Sequence, residues 1–530
     1  MIRGVPVPNS TNHIHYLLLD RDCLGLDSYD PAHLLLRTHA EHLQLAAEVD
    51  AQPSGAARKR MAKACGIKGS SILARAPGVS FPDSFPCEFM HLVFINMVDT
   101  LLELYSIDHK GLDEGDGKYK LTIRAWAAVG KGTKLAGNTI PSSFGCRVHD
   151  IADEKEYRSA EMQSVWLMYI GPSQLKGRFR KQKYYRHFVQ FVRIVENCIT
   201  LDGVSRNTVA SIRSEIINWV KDFESFFYQF KPERLPMCTL VVHMLLHVAD
   251  SIELHGPVWV YWSFVMERHC GTLQRGIRSR CQPWASLNNF VMDEACLQGV
   301  VGLYNIGDLR APKVTRAVPN AKKILPDYPD CELLAPRKMV ELTYITRTRI
   351  VNTLAAWYSV DAAVIRPHVP HQVETWGKVR RLDGGDTMHA ANLAKPTGRD
   401  MTFIRYEQMV DTLSHRPRSD PVFERRTFYG QLREIVVLPI GGRLAVGLGL
   451  NRSETLVLAM VAPCNSIVEI EGFKYYKGLT GVEITNLKTV ECAIGRAPTH
   501  REGEFGIVDR SGSLSRVLFT NADDDEHVDP

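Results

Sequence analysis

The apolar residues of this chain change period along its length, from helical to alternating, and that change limits the folds open to it more than any single motif does. Met90, Val93, Phe94, Met97, Val98, Leu101 and Leu104 recur at helical spacing and make one apolar face. Helical runs follow over 160–175, 184–200, 206–230 and 238–254, most of them bounded by Pro, Gly or Asp. Upstream, residues 39–66 read as a helix that Pro53 and Gly55 split in two. From about residue 425 the texture differs. TFYGQLREIVVLPI, ETLVLAMVAP, NSIVEIEGF, VEITNLKTVECAIG and EFGIVDRSG are β-rich runs separated by turns. Strands of roughly five to nine residues at that spacing predict a small barrel or sandwich. The expected class is therefore α+β, mostly helical over 90–300 and β-rich over 425–517.

Length and composition narrow the function classes. The 530 residues allow roughly two to four domains. Hydrophobic residues make up 45% and charged residues 23%, which excludes a disordered or collagenous chain. The 64 Lys and Arg against 59 Asp and Glu leave a net charge of only +5, so local charge must decide any polyanion partner. No window approaches the ~18 uncharged apolar residues of a membrane span, and the N-terminus lacks a signal-peptide core, so an intracellular protein with no membrane partner is expected. None of the 12 cysteines has C-x-x-C spacing, which argues against a zinc ribbon or redox dithiol. The loop 111–117 lacks the carboxylate spacing of a calcium site. Gly441, Gly442, Gly447 and Gly449 follow a strand without opening a helix, so hairpin turns are expected there rather than a phosphate loop. The acidic tail 518–530 reads as disordered.

Three clusters carry candidate chemistry. Glu267 lies near the head of a helix and is followed by Arg268, Arg275, Arg278 and Arg280, placing a carboxylate able to hold a divalent ion beside cations able to hold phosphates. On residue types alone, Glu267 could equally pair with those arginines. Lys176, Arg178, Arg180, Lys181, Lys183 and Arg186 interleave with Phe179, Tyr184 and Tyr185, a pattern suited to phosphate contact and base stacking, or to a solvated helix start. His243 and His247 stand at i and i+4, the geometry of a helical zinc pair, with His255 and His91 as conceivable third ligands; a structural role is the alternative.

The stretch around Glu267 resembles En/Spm (CACTA) transposases. Gly256-Pro257-Val258, Trp262, Glu267-Arg268, Gly271 and Leu273 match a G-P-V-x-x-x-W segment followed by E-R-x-x-G-x-L-K, with Gln274 in place of the lysine. Pro283, Ser286, Asp293, Glu294, Ala295 and Leu297 continue the match. Upstream, Phe85-Pro86-Cys87-Glu88-Phe89-Met90-His91-Leu92 resembles the F-P-x-D-F-M-H-L of fungal members, with Glu88 where the family has Asp. Shorter similarities lie at 140–145, 161–172, 376–387, 428–430 and 508–512, so the resemblance spans about residues 30–515.

The resemblance implies the C-terminal part of an RNase H-like transposase domain with a large helical insertion, acting on DNA with Mg²⁺ or Mn²⁺. Glu267 would be the third acid, Glu88 and His91 would support the site, and the first two acids would lie upstream of Met1. The expected divisions are a catalytic-domain remnant over 1–90, the insertion over 91–255, the acidic-helix segment over 256–335, an irregular linker over 336–424 and the β-rich domain over 425–517. The implied function is a nuclear, transposase-derived DNA-binding protein with an incomplete catalytic set, compatible with a homo-oligomer. The rivals are a non-catalytic DNA- or chromatin-binding protein and a non-functional transposon remnant.

Overall fold

Residues 5–6, 15–16 and 18–510 are described by the computed structural model, apart from 35, 108, 154–157, 201–202, 307–321, 383–386, 395–397 and 414–419. The expected acidic tail, Gly384–Asp386 and Ser511–Gly512 lie outside the described residues. The chain combines helices with antiparallel sheet, as an α+β reading requires.

The helical half is organised around two long helices, Gln182–Cys198 and Arg206–Phe223. Ser205 starts the second by accepting the Thr208 N–H, one of the donors a helix end leaves unsatisfied. Tyr184, Tyr185, Phe188, Val192 and Val195 form a buried stripe on the first, and Ile212, Ile216, Trp219 and Phe223 one on the second. His187 stacks on Trp219 with ring centroids 4.3 Å apart. The pair is also tied by hydrogen bonds, from Trp219 Nε1 to His187 O at 2.9 Å and from His187 Nε2 to Trp219 O at 3.1 Å. A carbonyl only accepts, so Nε2 carries the proton. Burial pushes this imidazole down to about 3, and it stays neutral in the core. Wide π-type turns occur at Met90–Met97, Trp166–Ile170 and Glu224–Tyr228.

Helices Phe264–Arg275 and Pro283–Tyr304 project from this core. The first buries only Phe264. The second buries none of its residues and exposes Trp284, Met292, Leu303 and Tyr304. No helix among the described residues is long and apolar enough to cross a membrane.

The β half contains a nine-stranded antiparallel sheet built on the long strand Phe423–Ile440. Its first half pairs with Phe403–Asp411, while its second half pairs with Glu454–Pro463 and, on the other edge, with Gln372–Arg381. Strand Glu454–Pro463 is buried on both faces. Val457, Ala459 and Val461 enter one core with Trp376 and Ile435, and Leu456, Leu458 and Met460 enter another beneath helix Tyr344–Tyr358. Two-sided burial explains why this strand is apolar from Leu456 to Pro463 instead of alternating.

Two expectations need correction. Residues 336–424 are not an irregular linker: they supply the end of strand Tyr328–Glu341, helix Tyr344–Tyr358 and strands Gln372–Arg381, Thr387–His389 and Phe403–Asp411. Pro336 hides this, because a proline argues against a strand, yet here it occupies a register shift between Leu334 and Arg337 where the ladder is interrupted. The β-rich unit accordingly begins at Lys322. The glycines at 441–447 do not make a hairpin turn either; Gly442–Gly447 is a short helix that buries Leu444 and Ala445.

A second sheet, Val468–Ile470, Phe473–Lys477, Glu504–Val508 and Gly495–Pro498, joins the two halves. Ala497 and Val508 enter the helical core. Tyr475 Oη lies 3.2 Å from Tyr185 Oη, and Gln174 Nε2 donates to Pro498 O at 2.5 Å. Gly506 suits this contact, since a Cβ there would sit 2.1 Å from Ser173 Oγ and force that side chain to move.

The buried Glu224 yields a pH prediction. Its carboxyl accepts the Leu19 N–H at 2.6 Å and the Asp20 N–H at 3.0 Å, but burial outweighs these bonds and pushes it up to about 7. The folded state therefore holds a proton that the unfolded chain releases in the ordinary carboxylate range. Stability attributable to this group falls as pH rises from about 4.5 to about 7, by on the order of 3 kcal/mol. Glu224→Gln should flatten that part of the curve, measured by urea unfolding at about pH 5 and about pH 8.

Candidate functional site

Phe264 anchors the helix that carries Glu267. Its ring packs 5.9 Å from Phe94 and 5.1 Å from Trp262, while Val265, Met266, Glu267 and Arg268 face outward. Phe94 belongs to the wide-turn segment Met90–Met97, which begins just after Glu88. The aromatic contact thus brings the heads of two helical segments together although they lie far apart in sequence.

Glu88 occupies that junction. Its Oε1 accepts the Ser263 N–H at 2.7 Å and the Met90 N–H at 3.1 Å, and its Oε2 accepts the His91 N–H at 2.7 Å. The carboxylate therefore caps both segments at once. His91 Nδ1 lies 2.5 Å from the same Oε2. Burial raises the Glu88 carboxyl, but the hydrogen bonds from His91, Ser263 and Met90 prevail and hold it below the usual range. Ionised carboxylates only accept, so Nδ1 carries the proton toward Glu88. Nε2 then faces Glu267, with Oε1 at 3.4 Å.

The three residues Glu88, His91 and Glu267 thus form one row. Half-exposed Glu267 and the His91 Nε2 are separated by about the span of two ligands each ~2.0–2.2 Å from a shared ion. Glu88 would orient the imidazole from behind, as carboxylates do for metal-bound histidines. The set is small: among the described residues no group of three or more His, Cys, Asp or Glu is arranged to hold a metal. Arg275, Arg278 and Arg280 are exposed near the same helix, and Arg268 lies beside Glu267 on its outer face.

The basic run at 176–186 is used differently from the expectation. Phe179, Tyr184 and Tyr185 are buried in the helical core, so they offer no stacking platform. Lys176 is buried and pairs with Glu504 at 3.1 Å over the Tyr475 ring. Arg178 donates to Gln174 O at 2.6 Å, and Arg186 pairs with Glu471 at 2.9 Å. Lys183 stands 4.1 Å from the centre of the Phe226 ring. Arg180 and Lys181 face solvent. The reason is helical periodicity: aromatic positions 184, 185 and 188 share the buried stripe, and the sequence does not disclose which side of the helix meets the core.

His243 and His247 do meet, with Nε2 atoms 3.2 Å apart. Burial, and then His247, push His243 down to about 4. His247 Nδ1 faces Asp250 at 3.6 Å, and Asp250 is ion-paired with Arg213. Neither suggested third ligand joins them: His255 turns to Ser251 O at 3.2 Å and His91 to the two glutamates. The arrangement suits a structural hydrogen-bonded pair in the segment leading to Glu267.

Sequence reasoning missed the Ser263 N–H, because a backbone donor has no residue signature. It also missed Tyr261, whose buried hydroxyl has no hydrogen-bond partner among the described residues.

Compared with known proteins, the chain matches no family model, no curated protein and no solved structure.

The geometry separates two roles that both carboxylates could have been given. Glu88→Ala leaves the Ser263, Met90 and His91 N–H groups unsatisfied and should cost about 1–3 kcal/mol in urea unfolding. Glu267→Gln, on the exposed face, should stay within about 0.5 kcal/mol of the parent chain.

Proposed function

We propose that this protein is a transposase-derived DNA-binding protein of the En/Spm (CACTA) kind, working in the nucleus and holding the C-terminal part of an RNase H-like domain with a helical insertion. The observation that carries the reading is the meeting of Glu88, His91 and Glu267 at the head of an exposed, arginine-rich helical hairpin. Motif resemblance alone points to these three residues, and 176 positions separate His91 from Glu267.

The donor set fits one divalent ion held by Glu267 and His91, with Mn²⁺ better suited than Mg²⁺ to a site containing an imidazole. Such an ion would supply Lewis acidity next to a bound phosphate. Hydrolysis and strand transfer by paired ions require more carboxylates than this junction offers among the described residues. The exposed arginines beside the junction support binding best. Arg268, Arg275, Arg278 and Arg280 grip phosphates, while Glu267 and His91 recruit a cation that offsets the carboxylate's repulsion of the backbone. Arg180 and Lys181 extend the basic surface. Homo-oligomerisation through the exposed apolar residues of Pro283–Tyr304 is compatible with this reading.

The test is DNA binding across a salt series, together with nicking of supercoiled plasmid in Mg²⁺ or Mn²⁺. Binding should weaken steeply with salt, and replacing Arg275, Arg278 and Arg280 by Ala should lower the slope of log K against log salt by about 0.9 for each arginine that neutralises a phosphate. No nicking is expected. Nicking that disappears in Glu267→Gln would show a complete catalytic set and overturn the binding-only reading. Absence of binding even at low salt would overturn the DNA assignment altogether.

A further inference from the structure

Between helix Gln182–Cys198 and the small sheet lies a cavity, unrelated to the Glu267 junction. It encloses about 220 Å³ and is lined in part by Ser173, Glu196, Tyr429, Lys474 and Asp509. At ~30 Å³ per water this is room for about seven waters, enough for a small metabolite and too little for a drug-sized or polymeric ligand. Gly472 and Gly506 form part of the lining, where a Cβ would run into the Arg193 and Ser173 side chains.

The polar groups of the wall are unequally satisfied. The Tyr429 hydroxyl donates to Asp509 Oδ2 at 2.8 Å and accepts from Lys474 Nζ at 3.1 Å. The Glu196 carboxyl receives no hydrogen bond from the described residues, and Arg193, one turn earlier, donates to the Glu471 backbone oxygen. Burial pushes the Glu196 carboxyl up to about 7 against the opposing pull of Arg193. Lys474 forms no ion pair with a carboxylate among the described residues, and its ammonium rests on the tyrosine hydroxyl. The helical wall thus carries a carboxyl that accepts no hydrogen bond among the described residues, with Arg193 nearby, and the sheet wall an ammonium that reaches Asp509 only through the Tyr429 hydroxyl. Charges withdrawn from water are costly unless paired. A molecule carrying one charge of each sign can set an ammonium against the Glu196 carboxyl, favouring its ionised form, and a carboxylate against Lys474.

We propose that this cavity binds a small zwitterion of the free α-amino-acid class, its ammonium against Glu196 and its carboxylate against Lys474. Tyr429 and Asp509 hold Lys474 in place and supply further polar contacts to the ligand. The ligand would also bridge the helical and β halves, so binding should be read in the stability of the whole chain.

The experiment is a thermal-shift screen of the full chain with each of the common α-amino acids, with acetate and putrescine as single-charge-type controls, followed by calorimetric titration of the best amino acid. At least one amino acid should raise the midpoint while neither control does, and both Glu196→Gln and Lys474→Met should weaken its binding tenfold or more. Circular dichroism confirms that each variant is folded. Tyr429→Phe, which leaves both charges in place, should weaken binding less than either charge substitution. The proposal is overturned if no amino acid shifts the midpoint, if putrescine or acetate shifts it equally, or if affinity survives both charge substitutions in folded protein.

Discussion

The Glu88 carboxylate is the constraint on which the rest of the candidate site depends. It accepts from three backbone N–H groups and faces one imidazole nitrogen, and these partners belong to two chain segments. Charge-assisted bonds of this kind are roughly twice as strong as neutral ones, and here they act where two helical ends would otherwise leave donors unsatisfied. Glu88 fixes the ring plane of His91, the ring fixes what faces Glu267, and the Ser263 contact fixes where the Glu267 helix starts. A carboxylate in that position is structural first, whatever chemistry occurs beside it. Aspartate is one methylene shorter, and to reach both segments from position 88 it would need the backbones to approach more closely.

Apolar patterning makes the class legible. The face running from Met90 to Leu104 is buried at each of its positions, and the stripes at 184–200 and 206–230 form the two central helices. The β-rich texture after 425 corresponds to strands. What cannot be read comes from features without a local signature. Strand Tyr328–Glu341 carries a proline at a register shift and exposes much of its second half, so neither alternation nor an apolar run marks it. Gly442–Gly447 is a helix because Leu444 and Ala445 have a core to enter, which two glycines in sequence do not disclose.

The site residues divide in the same way. Glu88, His91 and Glu267 stand out by motif resemblance, and their contact is geometric. The basic run at 176–186 stands out by composition, and most of its residues turn inward or toward the small sheet. Composition counts charges without regard to their partners, whereas Glu504 and Glu471, the anions that engage Lys176 and Arg186, lie roughly 300 residues downstream. No local window could pair them.

That pairing bears on where a polyanion can bind. The small sheet joins the halves through Lys176 with Glu504, Arg186 with Glu471, Tyr185 with Tyr475 and Gln174 with Pro498. A lysine that is buried, ion-paired and stacked on a tyrosine face is not free to exchange counterions, so it contributes nothing to a salt-dependent association with phosphates. Within the three clusters, the exposed cations are those on the projecting hairpin after Glu267, together with Arg180, Lys181, Lys183 and Arg186. The interface between the halves therefore takes up Lys176 and engages Arg186 of the basic run that the sequence makes most conspicuous, while the arginines that follow Glu267 stay exposed beside a carboxylate and an imidazole. A phosphate backbone drawn to those arginines would pass alongside Glu267 and His91, so the proposed binding and cation recruitment would share one surface.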